Sequence, residues 1–140
     1  MRHIAFRILS GTAALLGGAG LALFPQAPKP QPLTLPLECP EGYCALLQGA
    51  PQTSGMRSGF VRLKPGESVG EHTTGKNEES LVVLRGQGEA RVEGHTALSF
   101  TSPAIVYIPS ASRHNVANTG TELLEYVYVV APARIPESAP

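Results

Sequence analysis

The sequence predicts an all-β domain, and three observations carry that expectation. Short runs rich in Val, Ile, Leu, Phe and Tyr recur from residue 59 onward, tight turn signals separate them, and no stretch after Pro25 keeps a helical period. Many short antiparallel strands joined in this way fold into a sandwich or a jelly-roll-like β-barrel.

The chain has 140 residues, about one small domain once its unusual N-terminal part is set aside. Residues 1–24 are expected to form a secretory signal peptide or an uncleaved N-terminal membrane anchor. Arg2, His3 and Arg7 precede an uncharged run from Ile8 to Phe24, which has 17 residues and is rich in Leu, Ala and Gly. That length is at the lower limit for spanning a bilayer, and the small residues from Gly20 to Ala22 make only a mediocre cleavage site, so both readings stay open. Either one places the folded part outside the cytoplasm, in a periplasmic or extracellular setting. Membrane contact is expected only if the segment stays uncleaved.

Residues 25–37 read as a linker. Five prolines fall between Pro25 and Pro36, removing backbone donors and favouring extended polyproline II. The domain then occupies residues 38–140. Near its start Cys39 and Cys44 bracket the turn-favouring sequence Pro40-Glu41-Gly42-Tyr43, and an oxidising compartment makes a local disulfide the favoured reading. The loop it closes is short, so it pins the start of the domain without adding much stability.

The expected strands are Gly59 to Leu63, Glu79 to Leu84, Gly88 to Val92, Ala97 to Phe100, Ile105 to Ile108 and Leu123 to Val130. Between them lie Lys64-Pro65-Gly66, Arg85-Gly86, Glu93-Gly94, Thr101-Ser102-Pro103 and Asn118-Thr119-Gly120, each a turn signal. A further strand begins near His114.

Charge narrows the functions. The formal net charge is zero, so there is no basic footprint for nucleic acid, which is not an expected partner. Every acidic residue is Glu, which excludes Asp-based calcium loops and Asp-containing triads. Against this background a few polar residues interrupt the apolar pattern. His72 and Thr74 are two apart and point to one side of an extended segment; Glu79 opens an apolar strand; and His114 begins another. Imidazole and carboxylate together suit a divalent transition metal such as iron, manganese, nickel, zinc or copper.

The spacing of these residues resembles that of the cupin superfamily. Gly66-x5-His72-x-Thr74-x4-Glu79-x6-Gly86 resembles the first cupin motif, and Pro103-x5-Pro109-x-Ala111-x2-His114-x3-Asn118 resembles the second. The resemblance covers roughly residues 45 to 131 and implies a small single-domain antiparallel cupin barrel, with His72, Glu79 and His114 as inward-facing metal ligands. The departures are specific. Thr74 stands where the family has a second ligand His, and Pro103 and Ala111 stand where it has glycines. Three ligands with the composition of a two-His-one-carboxylate site therefore remain.

Two readings of that cluster follow: a bound metal, or a hydrogen-bonded polar cluster without one. His95 follows a hairpin turn signal and is expected in solvent, and Glu78 should face away from Glu79. Arg62, Tyr107, Tyr126 and Tyr128 read as strand packing, and Asn118 as a turn residue. In function, the resemblance implies either a metal-dependent enzyme such as an oxygenase or isomerase, or a non-catalytic sensor or accessory module that binds a small molecule or metal. A homodimer is a further expectation, and no catalytic residue is assigned.

Overall fold

The computed structural model describes residues 29–40 and 42–133. The leader expected at 1–24 lies outside them. The described part of the linker, residues 29–37, is exposed and has no regular secondary structure. Among the described residues there are nine strands and no helix: β1 (Tyr43–Gln48), β2 (Arg57–Leu63), β3 (His72–Thr73), β4 (Asn77–Arg85), β5 (Gln87–Val92), β6 (Leu98–Thr101), β7 (Ala104–Ile108), β8 (Arg113–Asn118) and β9 (Leu124–Pro132).

Two antiparallel sheets face each other. One has the order β1-β2-β9-β4-β7 and the other β3-β8-β5-β6. The alternation in each strand decides which side chains enter. In β4 Glu79, Leu81 and Val83 are buried, and in β9 Leu124, Tyr126, Tyr128 and Val130 are buried, so these two paired strands supply much of the core. Val61 and Leu63 from β2, Val106 and Ile108 from β7, Val116 from β8 and Ala90 and Val92 from β5 complete it.

All six runs expected from the sequence fall on observed strands, and β8 is the strand anticipated near His114. β1 and β3 are not among those runs. β1 lies at a sheet edge with alternating partial exposure, and β3 has only two residues, so neither shows an apolar stripe. The cysteines form the Cys39–Cys44 disulfide, with α-carbons 5.5 Å apart, and the Gly42 carbonyl accepts a 2.7 Å hydrogen bond from the Arg62 amide. The bridge thus fixes the entry into β1 against β2.

Two turns show how the chain holds its motif geometry. Gly86 links β4 to β5 with φ +80°, and a Cβ there would collide with the Leu123 carbonyl, so this position needs glycine for both conformation and space. Ala111, between β7 and β8, adopts φ 60° without being glycine. The altered loop keeps the left-handed turn, and its amide donates a 2.6 Å bond to the Gly75 carbonyl.

Candidate metal centre

Register builds the site. In the β3–β8 pair His72 is the direct partner of His114, while Glu79 enters from β4 in the opposite sheet. Their nitrogen and carboxylate donor atoms all lie within 4.8 Å of one another. Glu79 and His114 are buried, whereas His72 is exposed at the mouth of the barrel.

The two imidazoles are oriented alike. His72 Nδ1 lies 3.0 Å from the Gly70 carbonyl, and His114 Nδ1 lies 3.1 Å from the Ser112 carbonyl. A carbonyl only accepts, so each Nδ1 carries the hydrogen and each Nε2 is left for the site. Backbone groups that fix a ring in this way are the usual supports of a metal-binding histidine. His114 Nε2 is 3.1 Å from Glu79 Oε2. That separation is an ordinary hydrogen bond, and it is also short enough that both atoms could reach one ion.

Both nitrogens of His114 face oxygen acceptors, which favours the doubly protonated ring. Its pKa is accordingly raised above 6.5. The hydrogen bond to Glu79 is the largest cause, burial opposes it, and the Ser112 carbonyl and the Glu79 charge add to the rise. A metal at this place therefore competes with a proton.

The site opens into a cavity of about 420 Å³. Glu79, His72 and Thr74 lie on its wall together with Tyr126, Tyr128, Tyr43 and Arg57. Tyr128 stacks on Tyr43 at 5.4 Å between centroids, and its ring lies so close to Gly59 that a Cβ there would meet the hydroxyl at 2.6 Å. Burial raises the pKa of Tyr126 strongly, with the Glu79 charge adding to it, and burial also raises that of Tyr128. Both phenols are therefore neutral O–H groups at any ordinary pH.

A sequence model of the Cupin domain matches residues 59–130, more than half of the chain. The chain belongs to the cupin family. Among solved structures, this cupin is similar to a Cupin 2 conserved barrel domain protein from Salinispora arenicola, at 27% identity and TM-score 0.54, covering 76% of this chain and 91% of that one. It is also similar to the Cnp3 cupin domain of Schizosaccharomyces pombe, at 20% identity and TM-score 0.58, covering 65% of this chain and 64% of the yeast chain. An RmlC-like cupin from Methanocaldococcus jannaschii with a double-stranded β-helix fold matches at 19% identity and TM-score 0.55, over 68% of this chain and 86% of that one. A search of curated protein sequences finds no match.

Within this cupin barrel the other polar residues near the site and along the strands divide clearly. Thr74 lines the cavity, but its hydroxyl donates a 2.9 Å bond to the Asn77 carbonyl and so serves the turn before β4. Glu71 pairs with Arg113 at 3.3 Å on the surface, and Glu78 accepts a 3.1 Å bond from the exposed Tyr107 hydroxyl on the outer face. Neither carboxylate lines the cavity. His95 is exposed at its hairpin. Asn118, 2% exposed, donates to the Leu63 and Glu122 carbonyls at 2.8 and 2.7 Å and accepts from the Gly120 amide, closing the β8–β9 turn.

Tyr126 and Tyr128 are packing residues that also line the cavity, and Arg57 has no role in the sequence reading. Arg57 has a legible signal nonetheless. It shares strand parity with Gly59, Val61 and Leu63, so it is a charge on the inward side of an apolar strand.

Proposed function

We propose that this cupin holds one divalent transition-metal ion between His72, Glu79 and His114 and presents it to a small molecule in the adjoining cavity. The observation that carries the reading is the common orientation of the two rings, with His114 Nε2 already 3.1 Å from Glu79 Oε2. Each Nδ1 is committed to a backbone carbonyl, so two neutral imidazoles and one carboxylate can meet at one point. Iron, manganese, nickel, zinc and copper all accept that donor set. When bound, such an ion supplies Lewis-acid polarisation of an oxygen-bearing ligand, and iron would add dioxygen chemistry.

The protein's own part is to leave coordination positions open and to surround them with neutral donors. Tyr126 and Tyr128 keep their protons and can donate hydrogen bonds to a ligand oxygen without adding negative charge. The proposed setting is outside the cytoplasm. Arg2 and Arg7 before the apolar run support it, as does the Cys39–Cys44 bridge, which persists in oxidising compartments.

A second reading, a binding or sensing module without turnover, is favoured by the placement of Glu71 and Glu78. Both are held on the surface, away from the cavity, so neither of them is placed as a general base. Elemental analysis of the purified protein tests the metal, and oxygen uptake with each reconstituted metal tests turnover. About one metal per chain, lost on chelation, supports the centre. No metal under any reconstitution would refute it, and a loaded protein without uptake or turnover would favour the sensing module.

A further inference from the structure

Arginines are paired throughout the described domain, with one exception. Arg62 meets Glu125 at 2.9 Å, Arg85 meets Glu122 at 3.4 Å, Arg91 meets Glu89 at 2.6 Å and Arg113 meets Glu71 at 3.3 Å. Arg57 alone among the described arginines has no carboxylate of a described residue within 4.0 Å, and it is the one that lines the cavity.

Its position in the sheet is informative. Arg57 is the direct partner of Val130 on one side of β9, and Glu79 is the direct partner of Val130 on the other. Both side chains have inward parity, so they stand on one rung of the barrel wall, with α-carbons roughly 10 Å apart across two strand spacings. Glu79 is occupied by His114, and Arg57 does not reach it. Between them lies the cavity with the Tyr126 and Tyr128 rings on its wall.

We infer that the cavity binds a small organic acid, with its carboxylate on Arg57 and a second oxygen function turned toward His72, Glu79 and His114. This rests on the proposed metal only for the second half of the ligand. A guanidinium offers a planar fork matched to a carboxylate, and no carboxylate of a described residue competes for it. A divalent ion next to the single carboxylate of Glu79 leaves one positive charge, and Arg57 adds another, so the loaded cavity favours an anion over its neutral amide. A gap of this size between the two ends suits an acid of a few carbons carrying a hydroxyl, keto or second carboxyl group.

The test uses the full chain and measures binding of succinate, glutarate and 4-hydroxybenzoate against succinamide, glutaramide and 4-hydroxybenzamide, by calorimetry, in metal-loaded and chelator-treated protein. At least one acid should bind tenfold or more tightly than its amide. Arg57→Gln should remove that preference while leaving metal content and melting temperature unchanged, and Arg57→Lys should keep part of it. A preference that depends on Arg57 in protein without metal still supports the acid site, even if the metal reading fails. Equal binding of all acids and amides, or a preference that survives Arg57→Gln, would overturn the inference whatever the metal content.

Discussion

His72 and His114 are cross-strand partners whose ring centroids stand 4.3 Å apart with their planes inclined at 60°. One ring is exposed at the barrel mouth and the other is sealed beneath it, 2% exposed. The same pair therefore serves two purposes, since only the inner ring holds a buried carboxylate in place.

That asymmetry separates metal binding from stability. His114→Ala leaves the buried Glu79 without its partner, and breaking a buried pair costs about 3 kcal/mol or more. His72→Ala removes an exposed ring and should cost about 0.5 kcal/mol or less. Both variants should lose the metal. Urea unfolding of the chelator-treated proteins, beside elemental analysis of the untreated ones, checks both halves. Equal stability of the two variants would contradict the role given to His114, and metal retained in His72→Ala would remove His72 from the centre.

Protons should act on the metal-free protein through His114. Its folded-state pKa lies above the value near 6.5 that an unfolded imidazole keeps, so the Glu79 bond contributes fully below that value. The contribution is lost as pH rises through the folded-state pKa, because the folded protein then gives up the proton as well. Metal binding displaces this proton, so affinity should rise across the same window. Unfolding midpoints of chelated wild type should fall as pH rises above 6.5. The same fall in His114→Gln would assign the titration to another group.

Ala111 stands where the second cupin motif has glycine, and it holds φ 60°. A left-handed conformation costs a residue with a Cβ roughly 1–2 kcal/mol, and glycine gives back part of that as chain entropy in the unfolded state. Ala111→Gly should therefore raise stability by about 0.5–1 kcal/mol, read as a higher urea midpoint with an unchanged slope. A loss of stability would mean that the Ala111 methyl makes contacts worth more than the strain.

The strands were legible because each buries one face, as in the run of Glu79, Leu81 and Val83, where period-2 spacing survives in the sequence. The edge strand β1 was not, since its side chains are only partly covered. The three candidate ligands were legible for a different reason. Polar residues on the inward parity of apolar strands are costly unless paired, and the two spacings resembled those of a known family. What spacing cannot show is where an apolar core ends and a cavity begins. Tyr126, Tyr128 and Val130 alternate like Leu124, yet they line open space, because the inner face of one strand passes from filled barrel to open mouth.

Thr74 provides the last test, since it lines the cavity beside the proposed ligands at the position where the family pattern has a histidine. Its hydroxyl is bonded to the Asn77 carbonyl, so it acts as a turn residue, and a hydroxyl is in any case a weaker donor than imidazole. Thr74→His gives up that bond, at about 1 kcal/mol, and supplies a fourth nitrogen or oxygen donor in a cavity of about 420 Å³ that has room for the ring. Metal affinity should rise about tenfold or more, measured by competition with a chelator. The ligand-binding side should lose a coordination position, so a small molecule that reaches the ion should bind the variant more weakly. Tighter metal with weaker ligand binding would mean that threonine keeps the site open at the expense of affinity. Unchanged metal affinity in a folded Thr74→His protein would show that residue 74 does not point at the ion, and that the open side of the centre lies elsewhere.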